Sequence, residues 1–380
     1  GFPGARRVLP RTLVVRLGKR AFVTCIQPID PACDRDALWN LLQQNLSLGL
    51  SAAAGSVELP AGLAGPSPLR SQPPFEPGAE YRVVADREHA VYRRQVSEAL
   101  AAIERGKLHK VVLARSLQVE HPGSFSVEVL LDRLRQLYPD CVTHAFTRED
   151  GTFVCASPER LVSLNGGQVS TGALAGSAAR GQTPEEDALL AEQLMRSSKE
   201  RAEHAAVVDA IRAALEDICW PLQGPRQPEL MRLAGIQHLH TPLTGRLLDA
   251  RSPHRAPSAA YSILDLVGRL HPTPAVGGLP HASAMDWIEQ REGLQRGWFG
   301  GPVGFVDRCG GGEFRVALRA GIIRNPPPGA EASGAGSDMS GPAVARLFAG
   351  AGIVRGSSPE QELRETRLKL RALLAPLTEI

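Results

Sequence analysis

Lys110-Val-Val-Leu-Ala-Arg115 is a β-rich run that separates two helical patterns, and this mixture decides the fold class. Before it, Tyr92, Val96, Leu100 and Ile103 recur at helical spacing and lead to Gly106, a C-terminal stop. After it, Val127, Leu130, Leu131, Leu134 and Leu137 share one helical face between Ser126 and Tyr138, and Pro139 ends the pattern. Further on, Phe153–Ala156 and Leu161–Leu164 read as short strands, 185–219 as one or two helices, and 264–270 as another short helix. Strands are expected at 302–306 and 314–323, joined through Gly310-Gly-Gly312. Ser358-Pro359-Glu360-Gln361 supplies an N-cap, a proline at the first helical position and a capping-box partner for a last helix whose core side is Leu363, Leu370, Leu373 and Leu374. Toward the N-terminus, 14–17 and 21–24 suggest strands, 35–44 a short helix, and 51–78 a loop rich in Ala, Gly, Ser and Pro. Residues 325–341 read as a surface excursion. Hairpin-like strands mixed with helices favour α+β over regular βαβ alternation.

Composition narrows the function classes. Across 380 residues, 43 Lys+Arg face 40 Asp+Glu for a net charge of +3, which gives no reason to expect a nucleic-acid or membrane-surface binder. Hydrophobic residues at 43% and charged residues at 22% support a sizeable core. Aromatics at 5% disfavour stacking platforms for single-stranded nucleic acid. The cysteines, at 25, 33, 141, 155, 219 and 309, form no CxxC or zinc-finger spacing and read as thiols in a reducing compartment. No run approaches the ~20 apolar residues of a membrane span. Residues 1–7 lack the apolar region of a secretory signal, so a cytoplasmic protein is expected.

Several residues could carry chemistry, although each alone also fits a plain structural role. Lys110 opens an apolar strand, where partial burial would favour a base; a strand-end lysine in water is the commoner arrangement. Glu159, in Ala156-Ser-Pro-Glu-Arg160, follows a strand and a proline and could act as a general acid if burial raises its pKa; an ion pair with Arg160 is the ordinary alternative. Glu203 and His204 lie in the long helical pattern, while Glu362, Glu365 and Lys369 share one side of the last helix. Carboxylates from two helices suit Mg²⁺, whereas a solvated face of salt bridges explains either helix by itself. Glycine-bearing stretches at 170–177, 277–278 and 348–352 read as turns able to aim backbone N–H groups at an anion, but none has dinucleotide or P-loop spacing. Arg319, inside the expected 314–323 strand, would suit a carboxylate.

In their order along the chain, Lys110–Arg115, Ala156–Glu159, Leu174-Ala-Gly-Ser-Ala178, Lys199-Glu-Arg-Ala-Glu-His204, Gln237-His-Leu-His240, Leu270-His-Pro-Thr-Pro-Ala-Val-Gly-Gly278, Gly297-Trp-Phe-Gly-Gly-Pro-Val-Gly304 and Phe348–Val354 with Arg364-Glu-Thr366 resemble the chorismate-utilising enzymes. The likeness covers about residues 85–375. It implies a single large α+β domain with two antiparallel β-sheets packed face to face and helices outside. Residues 1–84 would form a poorly matched N-terminal part of that domain, and 85–380 its catalytic region. It also implies Mg²⁺. By motif position, Lys110 resembles the base that activates water and Glu159 the acid that protonates the departing C4 hydroxyl. Glu203 and Glu365 resemble direct metal ligands, and Glu362 a water-mediated one. Gly176, Ser177, His238, Ala275, Arg319, Gly350 and Lys369 match substrate-contacting positions.

Within that family the motifs are most similar to those of isochorismate synthases. Ala175 stands where an aminating relative can place a lysine nucleophile. Leu174–Arg180 departs from the Ala-Gly-Thr-Arg-Pro-Arg-Gly type of the anthranilate and salicylate synthases, and Ala275 replaces a Thr common in lyase-competent relatives. The resemblance therefore implies conversion of chorismate to isochorismate, for siderophore, salicylate or menaquinone synthesis. A salicylate synthase and a non-catalytic chorismate-binding protein are the alternatives. It implies no obligatory amidotransferase subunit, no nucleic-acid or membrane partner, and permits a monomer.

Overall fold

The computed structural model describes residues 12–17, 20–25, 81–148, 150–248, 261–326 and 341–378. Internal packing divides the chain into two units, one of residues 3–72 and one made almost wholly of residues 73–380. In the smaller unit, β1 (Thr12–Leu17) and β2 (Arg20–Cys25) pair antiparallel. The helix expected at 35–44, the loop at 51–78 and most of the 325–341 excursion lie outside the described residues.

The larger unit begins with β3 (Arg82–Ala85), α1 (His89–Glu104), β4 (Lys110–His121), α2 (Val127–Leu137), β5 (Val142–Arg148), β6 (Gly151–Ser157), β7 (Arg160–Asn165) and β8 (Gln168–Ala179). Two helices follow, α3 (Pro184–Arg196) and α4 (Ser198–Leu215), then β9 (Glu229–Leu233), β10 (Ile236–Arg246), α5 (Ile263–Leu270), β11 (Gly278–Leu279), α6 (His281–Trp287) and a π-helical turn at Ile288–Glu292. The chain closes with β12 (Pro302–Val306), β13 (Gly312–Val316), β14 (Ala320–Arg324), β15 (Ala343–Val354) and α7 (Pro359–Thr378). A six-stranded sheet runs β12-β13-β7-β8-β10-β9 and a seven-stranded one β11-β4-β15-β14-β6-β5, with β3 also on β4. Every pairing is antiparallel, so the class is α+β, as expected.

Helices cover each sheet with apolar stripes. Val207, Ile211 and Leu215 of α4 join Leu266 and Leu270 of α5 against Leu161, Val162, Ala173 and Leu243 of the six-stranded sheet. Leu370, Leu373 and Leu377 of α7, with Leu130 and Leu134 of α2, bury against Leu117, Val119, Val154 and Leu347 of the seven-stranded one. Each such side chain, removed from water, contributes about 1.5–3 kcal/mol. Helix starts follow local chemistry. Ser126 accepts the Val129 N–H at 3.3 Å, Thr183 with Pro184 opens α3, and Ser197 both ends α3 and caps α4 through the Glu200 N–H at 3.3 Å. The 185–219 pattern is thus two helices, parted where Ser197 turns extended at ψ 115.

Three readings are corrected. The 314–323 strand is two strands in different sheets: β13 ends at Val316, and the chain crosses through Ala317-Leu318-Arg319 before β14 begins. Arg319 therefore lies between strands, with φ at 47°, because the chain must turn there to change sheets. The glycine-bearing stretches at 170–177 and 348–352 are interiors of β8 and β15. Gly176, at φ 79°, is the extra residue of a bulge, since His238 pairs with Ser177 while Leu239 pairs with Ala175. Gly352 is small for a different reason: a Cβ there would lie 2.4 Å from Glu203 Oε1.

Candidate active site

Two adjacent crossovers between the sheets build one wall of the site. The chain passes from β6 to β7 through Ser157-Pro158-Glu159, and returns from β13 to β14 through Ala317-Leu318-Arg319. The two are stitched together by Val316 N–H to Glu159 O at 3.1 Å and Ala156 N–H to Arg319 O at 3.2 Å. Glu159 and Arg319 thus emerge side by side from rigid corners. Both border a cavity of about 470 Å³ lined from both sheets and α7. The expected Gly176, Ser177, Glu203, His238, Ala275, Gly350, Glu365 and Lys369 border it too. Lys110 and Glu362 do not; Lys110 is ion-paired to the lining Glu203, and Glu362 to Lys199.

Three lysine–glutamate pairs dominate the electrostatics. Lys110 Nζ lies 2.7 Å from Glu203 Oε1, Lys199 Nζ 3.0 Å from Glu362 Oε1, and Lys369 Nζ 2.6 Å from Glu365 Oε1. Lys110 is 2% exposed, so the water-facing strand-end reading does not hold. Burial works against ionised Glu203, but the ammoniums of Lys110, Lys369 and Lys199 outweigh it and hold its carboxyl below the ordinary value. Burial also works against Lys369, yet Glu365, Glu203 and Glu362 hold its ammonium above the usual range.

Glu159 has a different environment. It makes no ion pair with Arg160, which instead faces Glu313 at 3.5 Å. Burial pushes its carboxyl up to about 8, against the pull of Lys110 and Lys369, so it is largely protonated at neutral pH. His238 goes the other way: burial, then Lys369 and Arg319, push it down to about 3, and its neutral ring meets Ser177 Oγ through Nδ1 at 3.0 Å. Arg319 stacks its guanidinium 4.5 Å from the Tyr138 ring centroid and donates to Cys141 Sγ at 3.4 Å, while its Nη2 is buried without a hydrogen-bond partner. A buried, unspent guanidinium N–H beside a neutral imidazole and a protonated carboxyl suits an anionic guest.

The acidic residues of α4 and α7 offer hard oxygen donors. Among the described residues no three His, Cys or acidic side chains converge on one point; each carboxylate is turned toward its lysine. One oxygen, Glu362 Oε2, is buried and accepts no hydrogen bond. Burial and then Glu365 raise the Glu362 carboxyl, with Lys199 offsetting them. A divalent cation would satisfy that oxygen, so the donor set fits one. Glu200 belongs to the same cluster and escaped the sequence reading: its Oε2 accepts the Ser177 N–H at 3.1 Å, and burial raises its carboxyl, with Glu203 and Glu365 adding to the effect. The signal was available, because Glu200 precedes Glu203 by the three residues that separate Glu362 from Glu365. His204 is a buried strut, bonding Ala175 O at 3.2 Å and Thr241 Oγ1 at 2.7 Å.

Two antiparallel sheets, a cavity walled by sheet crossovers, and lysine-balanced carboxylates from two helices define an α+β protein with one charged cavity. The chain belongs to the family described as chorismate binding enzyme, whose pattern matches residues 1–378. It is 39% identical over 313 residues to the salicylate biosynthesis isochorismate synthase of Pseudomonas aeruginosa, covering 82% of this chain and 60% of that protein. It is 36% identical over 284 residues to isochorismate synthase MenF of Bacillus subtilis, covering 75% and 55%. Among solved structures, menaquinone-specific isochorismate synthase MenF from Escherichia coli superposes with a TM-score of 0.68 at 27% identity, covering 89% of this chain and 69% of that one. The chain thus spans between half and two thirds of the length of the two curated relatives. Among the described residues no helix is long and apolar enough to cross a membrane.

Proposed function

We propose that this chain isomerises chorismate to isochorismate with Mg²⁺ as cofactor. The observation that carries the reading is a buried Glu159, largely protonated at neutral pH, on the wall of one cavity whose lining also holds Glu203, the ion-pair partner of the buried Lys110. Relatives named as isochorismate synthases support it. To act as the base Lys110 first passes its own proton to Glu203, 2.7 Å away; the free amine then takes a proton from the water that adds at C2, and Glu159 delivers one to the C4 hydroxyl, which leaves as water, so atoms and protons balance. Arg319 and Lys369 receive the substrate's negative charge, and the neutral His238–Ser177 pair offers hydrogen bonds without adding charge. Glu203, Glu365 and Glu362 would hold the Mg²⁺, which when bound supplies charge neutralisation for a substrate carboxylate.

The reading assigns no pyruvate elimination, because Ala275, which borders the cavity, stands where lyase-competent relatives tend to carry Thr. Chromatography of the products formed from chorismate and Mg²⁺ by the purified chain tests it. Isochorismate alone is expected; salicylate with pyruvate would replace isomerase by salicylate synthase, and no turnover would leave only a binding protein.

A further inference from the structure

We infer that Glu292 and Arg296 form a positioning clip that holds the strand of the base and the loop of Ala275 in register; this rests on the isomerase reading above. On one side β4 pairs with β15 along its whole length. On the other, β11 meets it at residues 110–111 and β3 at 117–120, and among the described residues no strand covers the gap between them. Two side chains supply the missing rungs. Arg296 Nη2 donates to Val112 O at 2.7 Å, and the Ala114 N–H donates to Glu292 Oε2 at 2.7 Å. Arg296 Nε binds Glu292 Oε1 at 2.7 Å, and its Nη1 reaches Val276 O at 3.0 Å. One guanidinium therefore ties the β4 edge to the loop that carries Ala275.

The clip is itself anchored. Glu292 is fully buried and ends the π-helical turn, an irregularity that concentrates at functional sites. Its carbonyl accepts from Arg87 and from Gln95 Nε2, the latter at 3.0 Å. Arg296, Val112, Ala275 and Val276 all border the cavity. Lys110 is two residues from Val112 on the same strand face, so a shift of the Val112 rung moves the base. Lysine cannot replace the arginine, because Glu292, Val276 and Val112 are met by three separate guanidinium nitrogens in a fixed fork, which a single ammonium does not reproduce. Arg296 and Glu292 act through Lys110 and Ala275 and are positioning residues.

Arg296→Lys, assayed with chorismate at saturating Mg²⁺, is expected to lower kcat at least tenfold while KM changes less than threefold, with the fold intact by circular dichroism. Arg296→Ala is expected to regain part of its kcat with millimolar guanidinium. Arg269→Ala, which breaks an exposed pair with Asp217, serves as the control and keeps wild-type rates. A kcat within threefold of wild type in Arg296→Lys overturns the clip, as does a loss that tracks thermal stability without guanidinium rescue. If Arg296→Lys fails to fold, Glu292→Gln decides by the same kcat-against-KM split. Hydrogen exchange at the Ala114 amide needs no turnover and is expected to quicken at least tenfold in Arg296→Lys; unchanged exchange refutes the clip. A wild-type chain inert toward chorismate sinks the isomerase reading instead, and the exchange result still judges the clip.

Discussion

Glu159 shows how burial can convert an ordinary carboxyl into an acid that keeps its proton. Because its pKa is raised to about 8, the protonated form predominates at neutral pH and its fraction falls tenfold for each pH unit well above that value. Turnover should therefore decline on the alkaline side with a midpoint near pH 8, read from a pH–rate profile. Glu159→Gln should lower kcat by about 10²–10⁴-fold and abolish that limb, while leaving the fold intact by circular dichroism. A second prediction concerns Gly352. It has no unusual φ, so alanine suits its backbone, yet the new Cβ would crowd Glu203 Oε1 at 2.4 Å and Lys110 Cε at 3.0 Å. Gly352→Ala should leave thermal unfolding nearly unchanged and weaken Mg²⁺ binding by an order of magnitude in titration calorimetry.

Among the elements, α4 and α7 matter most, because they bring carboxylates from distant parts of the chain to one cavity. Ser197 sits at the root of α4 as its cap, one turn before Glu200 and nearly two before Glu203. Ser197→Ala should cost about 1 kcal/mol in denaturant unfolding. Leu370→Ala, in the buried stripe of α7, should cost about 2–5 kcal/mol by the same measurement. These two helices were readable in the sequence: Ser358-Pro359 marks a start and the leucines of α7 hold a helical period. So were Lys110–Arg115 and the strands at 153–156 and 161–164. The strands β8 and β15 were not, because glycines at 172, 176, 350 and 352 imitate turn composition, and only the packing of His240 against Gly172, of Glu200 against Gly176, of Val112 against Gly350 and of Glu203 against Gly352 shows what fills the space beside them. The break at Arg319 was hidden for another reason: nothing local distinguishes a strand that continues from one that changes sheets. Glu159 was legible as a rigid carboxylate behind Pro158, but its raised pKa depends on surroundings gathered from both sheets and α7.

For the whole molecule, the charge balance of the sequence takes a concrete form. Three lysines are set against the carboxylates of α4 and α7, so the interior carries its own counter-ions and the surface need not be basic. Removing divalent ions with a chelator should stop turnover, and Mg²⁺ should restore it in the wild-type chain. Glu365→Ala should lose activity and its response to Mg²⁺ together, checked by the same add-back assay. A bound substrate at a hundred times its Kd should also raise stability by about 2.7 kcal/mol, visible as a shift in Tm.

The stitched crossovers carry a consequence for how the protein comes to be competent. Glu159 and Arg319 each occupy a junction where the backbone leaves one sheet for the other, and the junctions are bonded to one another. Neither side chain can be aimed until both sheets have assembled, so an intermediate holding only one sheet presents no place for the anion. Ligand binding then reports completed folding rather than local order. During refolding, recovery of binding should coincide with the slowest conformational phase, and a chaperone-held or half-assembled chain would sequester no substrate.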